Sequence, residues 1–228
     1  MINDGRDRPK KPPWLQILVH ALGVLPVVLI TLGFVSGRLG ANPIQAIEQL
    51  LGRTALYFLI ATLAVTPLAT ITGWHELPSR RRALGLYAFL YASLHFLIFA
   101  GLDYGVNFAQ IIDLVAGKPY ILAGSLAFSM LIPLALTSFD YSIRRMKKSW
   151  TRLHWLVFPS AVIVIVHFGW ARKGDFSRMQ GNILQPILTG LLLVVLLLLR
   201  VPGIRKAISG LRHHLAGQKQ ALKNNMEK

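Results

Sequence analysis

Six stretches of this chain carry no Asp, Glu, Lys or Arg and are long enough to cross a bilayer: residues 12–37, 54–75, 83–102, 119–139, 153–171 and 179–199. A spanning helix needs about 20 apolar residues (range about 17–25), and the first stretch trims to about 14–35. Each has to be a helix, because an isolated strand in lipid leaves its backbone groups unpaired. Pro26, Pro67, Pro133 and Pro159 fall inside these runs, which membrane helices tolerate where a neighbour satisfies the freed carbonyl. The first run follows Arg6, Arg8, Lys10 and Lys11 like a signal peptide, but it exceeds an h-region of about 7–15 residues, so it is expected to remain as a helix. The pattern predicts an all-α integral membrane protein, a six-transmembrane-helix bundle over 14–200. A basic head (1–13) and a basic tail (201–228) flank it.

Charge sets the orientation. The 228 residues hold 25 Lys+Arg against 9 Asp+Glu, a net +16, with 54% hydrophobic and only 15% charged residues. An average soluble domain carries about 25% charged residues. With a mean hydropathy of +0.50, this excludes a disordered chain, a collagen-like repeat and an ordinary soluble enzyme. The cations sit in clusters between uncharged runs, so they read as membrane topology and not as a nucleic-acid surface. One side collects nineteen: the four of the head, Arg80, Arg81 and Arg82, five between Arg144 and Arg152, and seven from Arg200 onward. The other side has six: Arg38, Arg53, Lys118, Arg172, Lys173 and Arg178. The positive-inside rule then places both termini in the cytoplasm. In the tail, Ile204, Ile208, Leu211 and Leu215 recur at helical spacing beside Arg205, Lys206 and Arg212, which suits a basic helix on anionic lipid. A docking surface for a cytoplasmic partner is the alternative use of that face.

The candidate chemistry lies in histidines. There is no cysteine, which excludes disulfides, thiolate metal sites, iron–sulfur clusters and Cys-x-x-Cys-His attachment of a c-type haem. His213 and His214 belong to the tail. His20 and His75 fall on spans one and two, His95 on span three, and His154 and His167 on span five. An imidazole at membrane depth faces the bundle interior and has a partner there, which is often only another helix. His95 and His167 both fall in the outer half, His95 about 10 Å below the outer end, whereas His154 lies about 20 Å deeper than His167 by helix rise. A zinc or copper site needs three or four ligands at one depth. Two axial imidazoles from facing helices are what a b-type haem requires. The residues therefore predict His95 and His167 as one axial pair and leave His154 as either the ligand of an inner haem or a structural histidine. On a straight helix His154 and His167 would point about 140° apart, and Pro159 between them could change that. His75 is a candidate inner partner for His154, and Arg81 and Arg82 candidates for pairing with propionates. Phe96, Phe99, Trp155, Phe168 and Trp170 flank the histidines, and Gly85, Ala92 and Gly101 are small enough to admit a flat ring.

Four stretches carry a family resemblance: RTALYFLIATLAVTPL at 53–68, RRALGLYAFLYASLHFLIF at 81–99, KPYILAGSLAFSMLIPLALTS at 118–138 and WTRLHWLVFPSAVIVIVHFGWARKGD at 150–175. The chain resembles, over about 14–200, the haem-binding membrane subunits of the bacterial protein-methionine-sulfoxide reductase system, the MsrQ/YedZ family of the ferric-reductase-like transmembrane superfamily. The resemblance implies a multi-pass protein of the bacterial inner membrane with one or two haem b groups, with FMN also possible. It carries His95, His154 and His167 over as haem and iron ligands, and brings no flavin motif with it. It further implies a periplasmic molybdopterin methionine sulfoxide reductase as partner, for repair of oxidised periplasmic proteins, with substrate chemistry on that partner. The chain has no Gly-x-Gly-x-x-Gly and no room for a dinucleotide domain, so electrons are expected from the quinone pool or a cytoplasmic flavin reductase. A transporter or proton channel with a histidine relay is the alternative. It would show intramembrane carboxylates or an internal repeat, and neither stands out in the sequence. A purely structural anchor would leave three intramembrane histidines unexplained.

Overall fold

The computed structural model describes residues 13–172 and 184–226, and among them every regular element is helical. Helix α1 (Pro13–Val35) leads to α2 (Pro43–Thr72), and a 3₁₀ turn at Leu77–Arg80 leads to α3 (Arg81–Leu97), which continues as a π-helical turn over Ile98–Asp103. Short α4 (Phe108–Gly117) precedes α5 (Pro119–Leu136). Two further short helices, α6 (Asp140–Met146) and α7 (Lys148–His154), lead into α8 (Val157–Ala171). Helices α9 (Leu184–Leu198) and α10 (Pro202–Met226) complete the chain. Five segments are long and apolar enough to cross a membrane. The pair formed by α9 and the start of α10, bent by 77° at their junction, is a sixth only if taken as one span. The protein is thus an all-α membrane bundle. The head up to residue 12, Lys173, Arg178 and the start of the expected sixth span lie outside the described residues.

Two antiparallel hairpins, α2–α3 and α5–α8, form the centre of the bundle. Between them lies a core of Phe58, Leu59 and Leu63 from α2, Tyr91 from α3, Leu131 and Leu134 from α5, and Ala161 from α8, closed by Leu193 and Leu196 of α9. Association in lipid depends on close packing and interhelical hydrogen bonds, since the solvent is as apolar as the side chains. Helix α1 shows both: the Tyr87 ring occupies the space a Cβ at Gly23 would need, and Tyr91 donates its hydroxyl to the Gly23 carbonyl at 2.6 Å.

The helix boundaries differ from the uncharged runs in instructive ways. Helix α2 begins not near residue 54 but at Pro43, capped by the Asn42 side chain on the Gln45 N–H. Glu48 and Arg53 stand ahead of the uncharged run, but charged side chains leave the backbone hydrogen-bond ladder intact, so the helix continues through them. The expected fifth span over 153–171 is present within one span, Lys148–Ala171, but its helix is interrupted by a turn. His154 ends α7 and α8 starts only at Val157, because Pro159 has no N–H with which to continue the ladder. Pro67 does the same to the Leu63 carbonyl within α2. Arg200 answers that carbonyl, donating Nε at 3.2 Å and Nη2 at 2.7 Å, which pins the chain at the bend between α9 and α10. Arg212 of α10 donates to the Thr70 carbonyl at 3.0 Å, one of the last-turn carbonyls that a helix leaves open. Arg200 and Arg212 thus tie the α9–α10 bend and the tail to the C-terminal half of α2.

Candidate functional site

His95 of α3 and His167 of α8 come together as their depths predict. Their ring centroids lie 6.2 Å apart and their planes cross at 68°. Each ring is fixed by the same device. His95 Nδ1 is 2.9 Å from the Glu48 carbonyl of α2, and His167 Nδ1 is 2.7 Å from the Tyr120 carbonyl of α5. A carbonyl only accepts, so both Nδ1 atoms carry the proton and both Nε2 atoms keep their lone pairs. Among the described residues neither Nε2 has a hydrogen-bond partner. Donation from the far nitrogen to a carbonyl is the usual outer-shell support of a metal-bound histidine. Two imidazoles on opposite sides of one ion, with metal–nitrogen bonds of about 2.0–2.1 Å, have centroids about 6.4 Å apart, close to the observed separation.

One turn beyond each carbonyl stands a glycine facing the ring it holds. A Cβ at Gly124 would lie 2.8 Å from His167 Cε1 and 2.9 Å from Nδ1; one at Gly52 would lie 3.2 Å from both atoms of His95. The two hydrogen bonds also span the same 47 residues. The hairpins α2–α3 and α5–α8 are therefore two copies of one arrangement: carbonyl, glycine one turn on, then histidine on the return helix. Glu48, Gly52, Tyr120 and Gly124 are site residues that the sequence reading missed.

The remaining candidates lie elsewhere. His154 is bonded at Nε2 to Thr137 Oγ1 at 3.1 Å and stacks on Trp150 with centroids 4.0 Å apart. The Thr137 hydroxyl proton goes to the Pro133 carbonyl at 2.6 Å, so His154 Nε2 is the donor in this contact. His75 is exposed in the turn after α2. His20 meets the Tyr87 hydroxyl through Nδ1 at 2.9 Å. The side chains of His213 and His214 lie outside the described residues. Arg82 pairs with Asp140 at 2.7 Å and Arg81 is half-buried. Phe96 stacks on Phe128 of α5, Phe99 meets Tyr104, Phe168 is buried, and Trp155 and Trp170 face outward. Gly85 makes only ordinary contact with Thr62, and Gly101 faces open space. The close approach thus occurs at Gly52 and Gly124, opposite the ligand helices and not on span three.

Among the described residues no third His, Cys, Asp or Glu joins a group able to hold a bare metal ion. Fold and site define a multi-pass helical membrane protein with an adjacent pair of imidazoles, each held through Nδ1, the class of the ferric-reductase-like transmembrane components. The family described as "Ferric reductase like transmembrane component" matches residues 51–165. Proteins named "Protein-methionine-sulfoxide reductase heme-binding subunit MsrQ" match over most of their length. That of Rhodospirillum rubrum is 41% identical over 196 residues, 86% of this chain and 91% of its own. Those of Herminiimonas arsenicoxydans and Xanthomonas euvesicatoria are each 40% identical, covering 83% and 82% of this chain and 87% and 85% of theirs. The chain belongs to the MsrQ family of bacterial multi-pass membrane proteins. No solved structure matches it.

Proposed function

We propose that this protein is the haem b electron-transfer subunit of a methionine sulfoxide reductase system, with His95 and His167 as axial ligands of one haem. The observation that carries this reading is the pair of rings 6.2 Å apart, each with Nδ1 committed to a carbonyl. The haem would supply an iron that cycles between ferric and ferrous, accepting and releasing one electron at a time. The chain's own residues orient the ligands: Glu48 and Tyr120 fix the tautomers, and Gly52 and Gly124 leave room for the rings. With the basic end in the cytoplasm, the His95–His167 pair lies nearer the periplasmic end. Electrons would enter from a quinol or a flavin reductase on the cytoplasmic side and leave to a periplasmic molybdopterin reductase, which does the substrate chemistry. No flavin contact enters this reading.

As the ligand of a second, inner haem, His154 would have to give up Thr137 at Nε2 or bind through Nδ1 of the ring that stacks on Trp150; the single haem of this reading rests on the paired rings of His95 and His167. The transporter reading gains a repeat from the paired hairpins, but what repeats is a ligand cradle. The carboxylate that α2 contributes, Glu48, sits in its second turn, ahead of the uncharged run that starts at residue 54.

Purified protein should show a Soret band, and ferrous protein should be reoxidised by the periplasmic reductase only when methionine sulfoxide is present. Protein purified with no haem, and taking up none, contradicts the proposal. Reporter fusions after Gly40 and Gly117 should read periplasmic, and those after Arg82 and Lys148 cytoplasmic. The reverse pattern would invert the direction of transfer.

A further inference from the structure

Away from the paired histidines, a cleft of about 240 Å³ opens between α1 and the start of α3, walled by Gln16, His20, Ser79, Arg80 and Arg82. It shares Gln16 and His20 with a groove of about 510 Å³ along the outer face of α1, whose other walls include Ile17, Ala21 and Val24. Together they fall within the several hundred Å³ typical of small-molecule sites. The cleft, with Val19, Ala83 and Leu86 beside its polar groups, opens sideways into the apolar groove on the exposed face of α1. We propose that this cleft is the docking site of a membrane quinol, the electron donor of the proposed haem; it rests on the function proposed above.

Three observations favour a quinol headgroup. Gln16 and His20 are one helical turn apart, so their side chains start about 5–6 Å from each other, within reach of the two oxygens across one six-membered ring. His20 is held through Nδ1 by the Tyr87 hydroxyl and Gln16 through its carbonyl by Arg80 at 3.2 Å. The second imidazole nitrogen and the amide N–H groups therefore remain for a ligand. His20 also lies about 10 Å along α1 from the start of the helix, within the uncharged run of residues 12–37.

Oxidation of the quinol to the quinone releases two electrons and two protons. The two electrons would leave one at a time toward the haem that His95 and His167 would hold, the second once the first has gone on to the periplasmic partner. In the tautomer that donates Nδ1–H to the Tyr87 oxygen, His20 Nε2 keeps its lone pair, takes each proton in turn and passes it to water at the basic mouth of the cleft. Tyr87 adjoins Phe58 (centroids 5.5 Å apart), which stacks on Tyr91 at 5.6 Å. From Tyr87 to His95 is about 12 Å along α3.

The test uses the full chain in nanodiscs with a short-tailed azidobenzoquinone as photolabel, mapped by mass spectrometry. Label should fall on residues 13–24 and 79–87. His20→Leu and Gln16→Leu should each reduce it about tenfold, the effect of one good hydrogen bond, with haem content unchanged. His20→Gln, which can still meet Tyr87 but cannot take a proton, should keep most of the label yet slow haem reduction by a short-chain quinol. Reduction by dithionite should not change. Labelling should persist in the His95→Ala/His167→Ala protein, so loss of the haem reading would leave the cleft standing. Label mapping elsewhere, label indifferent to both Leu variants, or label displaced by added anionic phospholipid would overturn the proposal.

Discussion

Replacing Gly124 by Ala puts a methyl carbon 2.8 Å from Cε1 and 2.9 Å from Nδ1 of His167. Ordinary contact requires the ring to retreat by about half an ångström, an overpacking of the kind that costs about 1–3 kcal/mol. The ring cannot move freely, because Nδ1 is held 2.7 Å from the Tyr120 carbonyl. Retreat therefore stretches that bond and swings Nε2 off the ligand axis. At 1.4 kcal/mol per factor of ten, haem affinity should fall about 5- to 150-fold. Gly52→Ala is the internal comparison: its methyl would stand 3.2 Å from the His95 ring, so a shift of a few tenths of an ångström suffices and the loss should stay under about tenfold. Both changes favour the helix by about 0.8–1.0 kcal/mol, so the backbone alone predicts stabilisation, and any loss has to come from the rings. Haemin titration of the apoprotein, followed at the Soret band, gives the two dissociation constants. Wild-type affinity in Gly124→Ala, or a larger loss in Gly52→Ala, would refute the cradle.

Arg200→Met leaves the Leu63 carbonyl, freed by Pro67, without its donor. The unfolding free energy in detergent should fall by about 1–3 kcal/mol, and Pro67→Ala in the same chain should restore most of it by returning the helical N–H. Arg212→Gln removes the donor to Thr70 and should raise amide exchange in α10 while changing global stability by no more than about 0.5–1.5 kcal/mol. If the two rings keep their 68° crossing when they hold haem, the ligand field at its iron would be nearly axial and the ferric low-spin EPR signal should be strongly anisotropic. A rhombic spectrum would mean the rings turn parallel when haem binds.

The spans were legible because a bilayer forbids charge over a fixed length, and the depth of each histidine followed from counting residues along them. Depth paired His95 with His167 and set His154 apart. Helix starts were less legible. The rule that marks a span by its uncharged run misses the part of α2 carrying Glu48 and Arg53, and it runs through the break before α8 because Leu153, Trp155 and Leu156 are as apolar as a helix interior. The cradle was hidden for another reason. Glu48 and Tyr120 act through backbone carbonyls, which any residue type supplies, and Gly52 and Gly124 look like the small residues of any membrane helix. One trace was present: at a single constant offset Leu50, Gly52, Ala55, Leu59 and Ile60 repeat as Leu122, Gly124, Ala127, Leu131 and Ile132, and His95-Phe96 as His167-Phe168. Against a background rich in Leu and Ala, only the glycine and the histidine carry weight in that register.

The central claim is that one haem is held between α3 and α8, and haem-to-protein stoichiometry in His95→Ala, His167→Ala and His154→Ala tests it most directly. The account predicts that the first two lose most of the haem, whereas His154→Ala keeps a full complement with the wild-type low-spin spectrum and loses only stability, through its contacts with Thr137 and Trp150. Full haem in both His95→Ala and His167→Ala would contradict it.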